Sequence, residues 1–337
     1  MSLFDRLFRP GVEESGRQRR ERIDAAAERV LAINPRLRLA ERYGERLAGA
    51  VTIAADYVDN LVRSLPAPHE ANAKAWSSDP CIRAFFATPS DIPRALSRSV
   101  ELRAHFDQHP GSEHAYAVLG MALTMRHVLG VALEGETMRN DVAQTTLCFS
   151  DHLTRMCGNT EETLREEIGR RFIDQLALAG LEMLATDRRK LVEKGRELLE
   201  ERLALLQRSG SGVRAIVELE PSDDAGELAR VEASIKENAS RLAALRVPTD
   251  LLELELDRVC AVLSDPPSHL YVTKKQVSID HMNVVQDKET PRSHRIEFDV
   301  AHLPGDPPRT RAFALVRCSR GDLLPAGLNF DAAMRAL

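Results

Sequence analysis

The chain has 337 residues, of which 43% are hydrophobic and 29% charged, and its 46 basic and 51 acidic side chains give a net charge of -5. Such a composition excludes wholesale disorder, a collagen-like fibre and a disulfide scaffold, and the acidic balance supplies no general drive toward nucleic acid. At roughly 100–200 residues per domain, the length suggests two or three domains.

The charge is uneven. Residues 1–46 hold 11 basic and 8 acidic groups, whereas residues 160–265 hold 16 and 23. The N-terminal excess is too small for a nucleic-acid arm. Only 4% of residues are aromatic, too few to supply stacking platforms as well as a core, so no nucleic-acid partner is expected. Of the basic residues, 39 are Arg and 7 Lys, which reads as codon bias of a GC-rich, bacterial genome. Cys81, Cys148, Cys157, Cys260 and Cys318 are odd in number and contain no CxxC pair. That argues against a disulfide framework and a cysteine zinc site, and makes the reducing cytoplasm the expected setting. The first ten residues lack the apolar core of a secretory signal. The longest nearly apolar stretch, Ala115 to Met125, is far short of the ~20 residues that span a bilayer, so no integral membrane segment is expected.

In chain order, residues 12–33 read as a helix. Asn34-Pro35 is a cap followed by a first-turn proline, opening a helix over 35–65. Its Leu39, Tyr43, Leu47, Val51, Ala54, Val58, Leu61 and Leu65 recur at steps of three and four and share one face. Short helices follow near 69–77, 80–87 and 91–108, with start signals at Asp79-Pro80 and Ser90-Asp91. The apolar stretch 112–128 reads as a buried helix. The period then changes, and 129–150 reads as a β-hairpin. Val142, Gln144, Thr146 and Cys148 fall on one strand face, with Ala143, Thr145, Leu147 and Phe149 on the other.

A long helix is expected from Thr160 to about Gln207. Thr160 with Thr163 does not match a capping box, but Glu161 and Glu162 suit the helix dipole. Leu184, Leu191, Leu198 and Leu205 recur every seventh residue, with Val192, Leu199 and Leu206 beside them. After the turn Ser209-Gly-Ser-Gly212 and a short strand over Val213–Leu219, a helix near 224–246 carries Leu228, Val231, Ile235, Asn238, Leu242 and Leu245. Their 3-4-3-4-3 spacing is the coiled-coil rhythm, and a seam Asn trades stability for register and partner number. A further helix runs from Asp250 to about Leu263. Strands are expected at 270–279, 283–286, 295–300 and 311–318, with Gly305-Asp-Pro-Pro308 as a hairpin loop and a short helix at the end.

Three clusters could carry chemistry. His105 and His109, at i and i+4 with Asp107 between and His114 beyond, share a helix face and could hold a metal ion. The Glu of HExxH is missing, and imidazoles near a helix C-terminus also suit the dipole. Asp141, Ser150, Asp151 and His152, with Gln144 and His127 nearby, supply acid, hydroxyl and imidazole but no nucleophile elbow. His281, His294 and His302, with Asp280 and Asp299, could meet through strand pairing. Neither GxxxxGK[ST] nor GxGxxG occurs, and no cofactor is expected. Leu3, Phe4, Leu7 and Phe8 make a short apolar face. Peripheral membrane contact through residues 1–9 ranks below docking onto the protein itself or fraying.

The expected fold is α+β and predominantly α-helical. It comprises a helical domain over 1–128, a β-hairpin segment over 129–157, a long antiparallel helical hairpin arm over 158–265 and a small antiparallel β domain over 266–337. The hairpin and the C-terminal strands are expected to join one sheet, because isolated hairpins are marginal. The leading functional expectation is a non-enzymatic interaction or scaffold protein. It would bind a protein partner or a second copy through residues 160–265, with the seam Leu228 to Leu245 as the contact. The alternative is an enzyme or ligand-binding protein with a polar or His-bound metal site.

Overall fold

The computed structural model describes residues 16–134, 137–208, 224–245, 248–286 and 293–325. The segments read above as the apolar face at residues 1–9, the Ser209–Gly212 turn, the 213–219 strand and the final helix lie outside them. The described residues are 58% helical and 26% strand, with one six-stranded sheet. By contact the chain forms two units, one of Met1–Asp56 with Ile173–Pro266 and one of Tyr57–Phe172 with Pro267–Leu337. The segment 1–128, expected as one domain, is thus shared between both.

The first unit is helical. It contains α1 (Gly16–Ile33), the start of α2 (Tyr43–Arg63), most of α7 (Glu161–Arg208), α8 (Asp224–Ala244) and α9 (Pro248–Ser264). The expected helix over 35–65 is in fact broken. Asn34 does cap, accepting from the Arg36 N–H, but only a 3-10 turn, Pro35–Leu39, follows. Arg42 then takes a left-handed conformation (φ 51°) before α2 begins, and Leu39 is left exposed rather than on the apolar face. Buried Val30, Leu31, Leu37, Leu47 and Val51 form the apolar side of this region. At its rim, Arg46 bridges Glu253 (2.5 Å) and Asp257 (2.5 Å) of α9, and Arg29 donates from Nε to Asp174 of α7 at 2.9 Å.

The second unit is built on the sheet. Its strands are β1 (His69–Glu70), β2 (His114–Glu134), β3 (Thr137–Gly158), β4 (Tyr271–Ile279), β5 (His294–Leu303) and β6 (Arg309–Ser319). The order is β3-β2-β6-β5-β4, antiparallel throughout, with β1 added parallel to β6. The hairpin and the C-terminal strands therefore do share one sheet. The two outer strands are also linked. Leu147 N–H donates to Asn283 O and Val285 N–H to Thr145 O on β3, while Gln286 N–H donates to Ser278 O on β4. The short segment 283–286 thereby uses backbone groups that both edges would otherwise expose.

The expected helix over 112–128 is corrected to strand β2. Ala115, Ala117, Leu119 and Met121 alternate into the core, and Val118 between them is buried on the opposite face. A strand buried on both sides reads as a continuous apolar run, which periodicity cannot separate from a buried helix. The hairpin is thus far longer than 129–150. Its ladder is interrupted by three irregularities, each matched on β3 by a left-handed residue: Asp141 (φ 61°), Asp151 (φ 49°) and Met156 (φ 54°). Such bulges bend the strand and re-aim the side chains beyond them.

Helices α3 (Ala73–Ser78), α4 (Pro80–Phe85), α5 (Asp91–Ser97) and α6 (Val100–Gln108) supply the other half of this core. The expected single helix over 91–108 is split because Ser99 caps α6, accepting from the Leu102 N–H at 3.0 Å. Phe85 of α4 meets Phe149 of β3 edge-on at 5.0 Å, and Phe149 meets Phe298 of β5 at 5.1 Å. Phe85, Phe86 and Phe298 are fully buried, each contributing on the order of 1.5–3 kcal/mol of apolar transfer. The Thr160/Thr163 pair proves to be a reciprocal cap after all. Thr163 N–H donates to Thr160 Oγ1 at 3.2 Å and Thr160 N–H to Thr163 Oγ1 at 3.0 Å. A hydroxyl here plays the part usually taken by Glu or Gln.

Candidate functional site

The three chemical clusters behave differently once folded. His152 does not act with Ser150 and Asp151. Its Nε2 lies 2.7 Å from the Phe85 carbonyl, and its ring stacks on Phe86 at 4.6 Å. A carbonyl can only accept, so Nε2 carries the proton. Burial lowers the pKa of this imidazole, outweighing the carbonyl that favours its charged form. Asn283 Nδ2 donates to Ala84 O at 3.0 Å and Trp76 Nε1 to Phe86 O at 2.8 Å. Three side chains from three elements thus satisfy the carbonyls that end α4, and His152 is one of them. Asp151 sits at a bulge and accepts from Arg311 at 2.9 Å. Asp141 lies nine residues along β3 from Ser150, ~30 Å at the rise of an extended strand, so it cannot join them. His127 bonds Thr145 across the ladder at 3.0 Å.

The third cluster is dispersed as well. His294 and His302 occupy opposite ends of β5, with His302 stacked on Tyr271 at 4.5 Å and bonded to Thr273 at 2.8 Å. Asp280 turns its Oδ1 to the Met282 and Val284 N–H groups, shaping the loop after β4. Asp299 is buried apart from all of them.

His105 and His109 do come together, in an open groove of about 490 Å³ lined by α6, the end of β3 and the start of α7. Their rings are 4.6 Å apart with a 32° tilt. His109 Nδ1 lies 2.9 Å from the His105 carbonyl. Because a carbonyl can only accept, Nδ1 of His109 carries a proton. His105 is nine-tenths buried and its Nε2 has no hydrogen-bond partner. Burial, reinforced by the neighbouring His109 charge, lowers its pKa and keeps the ring neutral. The carboxylates of the groove are already engaged. Glu101 accepts from Arg155 and from the Met156 N–H, both at 2.9 Å, and Glu167 pairs with Arg170 and Arg171. Among the described residues no third His, Cys, Asp or Glu atom gathers with these two rings closely enough to share an ion, so the groove suits a small polar ligand better than a metal ion. Among the described residues the one group of three or more His, Cys, Asp or Glu donors close enough to share an ion lies elsewhere, at His69, Asp79 and Cys81.

The seam on α8 is occupied within the chain. Val231, Asn238 and Leu245 are buried and Leu228, Ile235 and Leu242 half-buried, while the residues between them from Ala229 to Ala243 are exposed. Asn238 Nδ2 donates to the Leu191 carbonyl of α7 at 3.0 Å, and Arg202 pairs with Glu232 at 3.1 Å. The facing row on α7 is Leu184, Leu191, Leu198 and Leu205, three of them buried. We expect Asn238→Asp to lower the stability of this unit by ~1–3 kcal/mol, because a charge replaces a satisfied buried donor. Denaturant unfolding followed by helical circular dichroism measures this, and an unchanged midpoint would contradict it.

The second heptad row is what the sequence displayed without its meaning being legible. Leu178, Ala185, Val192, Leu199 and Leu206 lie one position beyond the buried row, about 100° around the helix. Val192, Leu199 and the adjacent Leu203 are 57%, 55% and 57% exposed. The order of these two rows, inner and outer, depends on which side α8 and α9 cover.

No helix among the described residues is long and apolar enough to cross a membrane. No family model, curated protein or solved structure matches this chain.

Proposed function

We propose that this chain is a non-enzymatic cytoplasmic interaction protein that binds an amphipathic helix of a protein partner through the outer face of α7. One observation carries the reading: large apolar side chains at Val192, Leu199 and Leu203 stand more than half exposed on one side of a long helix. Scattered exposed leucines are ordinary, but Val192 and Leu199 stand seven residues apart and Leu203 four further on, steps that match the period at which a second helix packs. The contact belongs to residues 160–265, as the charge and heptad pattern suggested, but on α7 rather than on the α8 seam. Five free thiols are in keeping with a reducing compartment.

The test is capture from native cells with the untagged full-length chain, compared with Val192→Glu/Leu199→Glu. Both sites are solvated, so folding stability should stay within about 0.5 kcal/mol of the parent. The expected result is a near-stoichiometric partner retained by the parent and lost, at least tenfold, by the variant. Equal recovery by both proteins would remove this face from consideration, and recovery of the chain alone would overturn the reading.

A second reading, ligand binding in the His105/His109 groove, rests on the buried, unpartnered Nε2 of His105. It predicts that a ligand protects these two imidazoles, seen as a change in their ring NMR signals on adding cell extract filtrate. Unchanged signals would count against it.

A further inference from the structure

We propose that His69, Asp79 and Cys81 form a binding site for a divalent metal ion of zinc type. The three residues come from two parts of the second unit, β1 and the start of α4. His69 lies on β1, which is pinned to β6 by the His69–Val316 pairing and by the Ala71 N–H donating to Arg317 O at 2.9 Å. Asp79 is the N-cap of α4, and Cys81 sits in its first turn. One ligand atom from each, a ring nitrogen, a carboxylate oxygen and the thiol sulfur, lies within 4.8 Å of the other two. Mixed nitrogen, oxygen and sulfur donors suit a borderline ion such as Zn²⁺ better than Mg²⁺ or Ca²⁺, which prefer oxygen. His69 and Asp79 are partly exposed, so a fourth position remains open to water.

The contacts show a poised arrangement. His69 Nδ1 and Asp79 Oδ2 are 2.7 Å apart, and the other Asp79 oxygen accepts from the Cys81 N–H at 2.8 Å. The Cys81 thiol donates weakly to the Glu297 carbonyl at 3.6 Å. Ligand atoms around a tetrahedral zinc ion stand about 3.4–3.8 Å apart, given bonds of ~2.0–2.3 Å. An ion would therefore either part the His–Asp pair, now 2.7 Å apart, or take His69 through Nε2 with Asp79 orienting the ring. Burial pushes the Asp79 carboxyl upward, but His69 and the N–H groups of Cys81 and Ile82 outweigh it and keep the carboxylate ionised. Burial raises the Cys81 thiol, with the Glu297 carbonyl opposing. Binding then releases the thiol proton to solvent as the sulfur–metal bond forms, and affinity climbs with pH.

The alternative role for the same residues is a purely structural tie between β1 and α4. The experiment uses the full-length chain without a His tag, stripped with chelator and titrated with Co²⁺ and then Zn²⁺. The expected result is one ion per chain, a thiolate-to-cobalt charge-transfer band in the near ultraviolet, and displacement of cobalt by zinc. Cys81→Ala should abolish the band, and Asp79→Asn, which keeps the helix cap, should weaken binding by at least about tenfold. Cys148→Ser should bind as the parent does. No charge-transfer band in the parent, or a band that survives in Cys81→Ala, would overturn the proposal. So would undiminished affinity in Asp79→Asn with folding confirmed by circular dichroism.

Discussion

Gly180→Ala is expected to destabilise the helical unit by about 2–3 kcal/mol, although alanine is intrinsically the better helix former by ~1 kcal/mol. The reason is the approach of α9 to α7. A β-carbon at Gly180 would stand 2.7 Å from Val259 Cα, 2.9 Å from Val259 N and 3.0 Å from the Arg258 carbonyl oxygen. All three are backbone atoms, so no side-chain rotation relieves the clash, and the helices must separate. Separation also disturbs the nearby Arg258–Asp187 ion pair, now 2.8 Å, and the buried Val259 beside it. Gly49 of α2 is the control, since a β-carbon there meets nothing within 4 Å. Gly49→Ala should hold or gain up to ~1 kcal/mol. Urea unfolding of the three proteins separates the two effects, and a Gly180→Ala protein as stable as the parent would refute the close crossing.

Asp299→Asn is expected to stabilise the sheet unit by ~1–3 kcal/mol at pH 7. Asp299 is 2% exposed, and neither carboxylate oxygen has a hydrogen-bond partner. It lies on β5 opposite Lys274 of β4 and Phe313 of β6. Burial raises its pKa above 3.8. The charge of Lys274 opposes that shift, and Glu297 adds to it. The folded state therefore holds the proton more tightly than the unfolded chain. Stability is highest below pH 3.8, falls as pH climbs from there to the folded pKa, and stays at the lower level above it. Asparagine carries no charge and lacks this fall. The difference between variant and parent should be full at pH 7 and shrink toward zero on acidification. A variant less stable than the parent at pH 7 would show that the carboxylate has a stabilising partner, and a pH-independent difference would show that burial does not raise its pKa.

Local signals were the most legible part of this chain. Asn34 and Asp79 cap because each needs only a short side chain and the next few N–H groups, whereas the Thr160/Thr163 pair caps although its residue types do not spell a capping box. The long helix α7 could be read because 48 residues pass without proline and with few competing signals. Three of the four expected C-terminal strand segments are strands, and 283–286 forms isolated bridges instead; they were visible because β-branched and apolar runs bounded by turn residues are a property of neighbouring residues. Errors arose where burial erased the pattern. Residues 115–123 of β2 are apolar on both faces, so that part of the strand took on the look of a buried helix. Ser99 was a cap hidden inside what read as one helix.

The candidate sites were less legible, for a related reason. His105 and His109 meet because they are one helical turn apart, whereas His152 is drawn to a carbonyl 67 residues earlier in the chain. Asp141 and Ser150 are close in sequence yet far apart in an extended strand. The cluster at His69, Asp79 and Cys81 left almost no linear signal. Asp79 and Cys81 are neighbours, but His69 reaches them only because β1 pairs with β6, whose partner residues lie more than two hundred positions later.

By itself, the sequence determined that this is a helix-rich α+β chain with a long charged helical segment, a paired-strand region and a C-terminal set of strands, because helix and strand periods and caps are local properties. Only the tertiary structure decided which faces are spent inside the molecule. Two adjacent heptad rows on α7 are chemically alike, and the side taken by α8 and α9 makes one a core and leaves the other open. A histidine, an aspartate and a cysteine become a potential site in the same way. Long-range strand pairing sets the distance between them, and side-chain chemistry acts only across distances of a few ångströms.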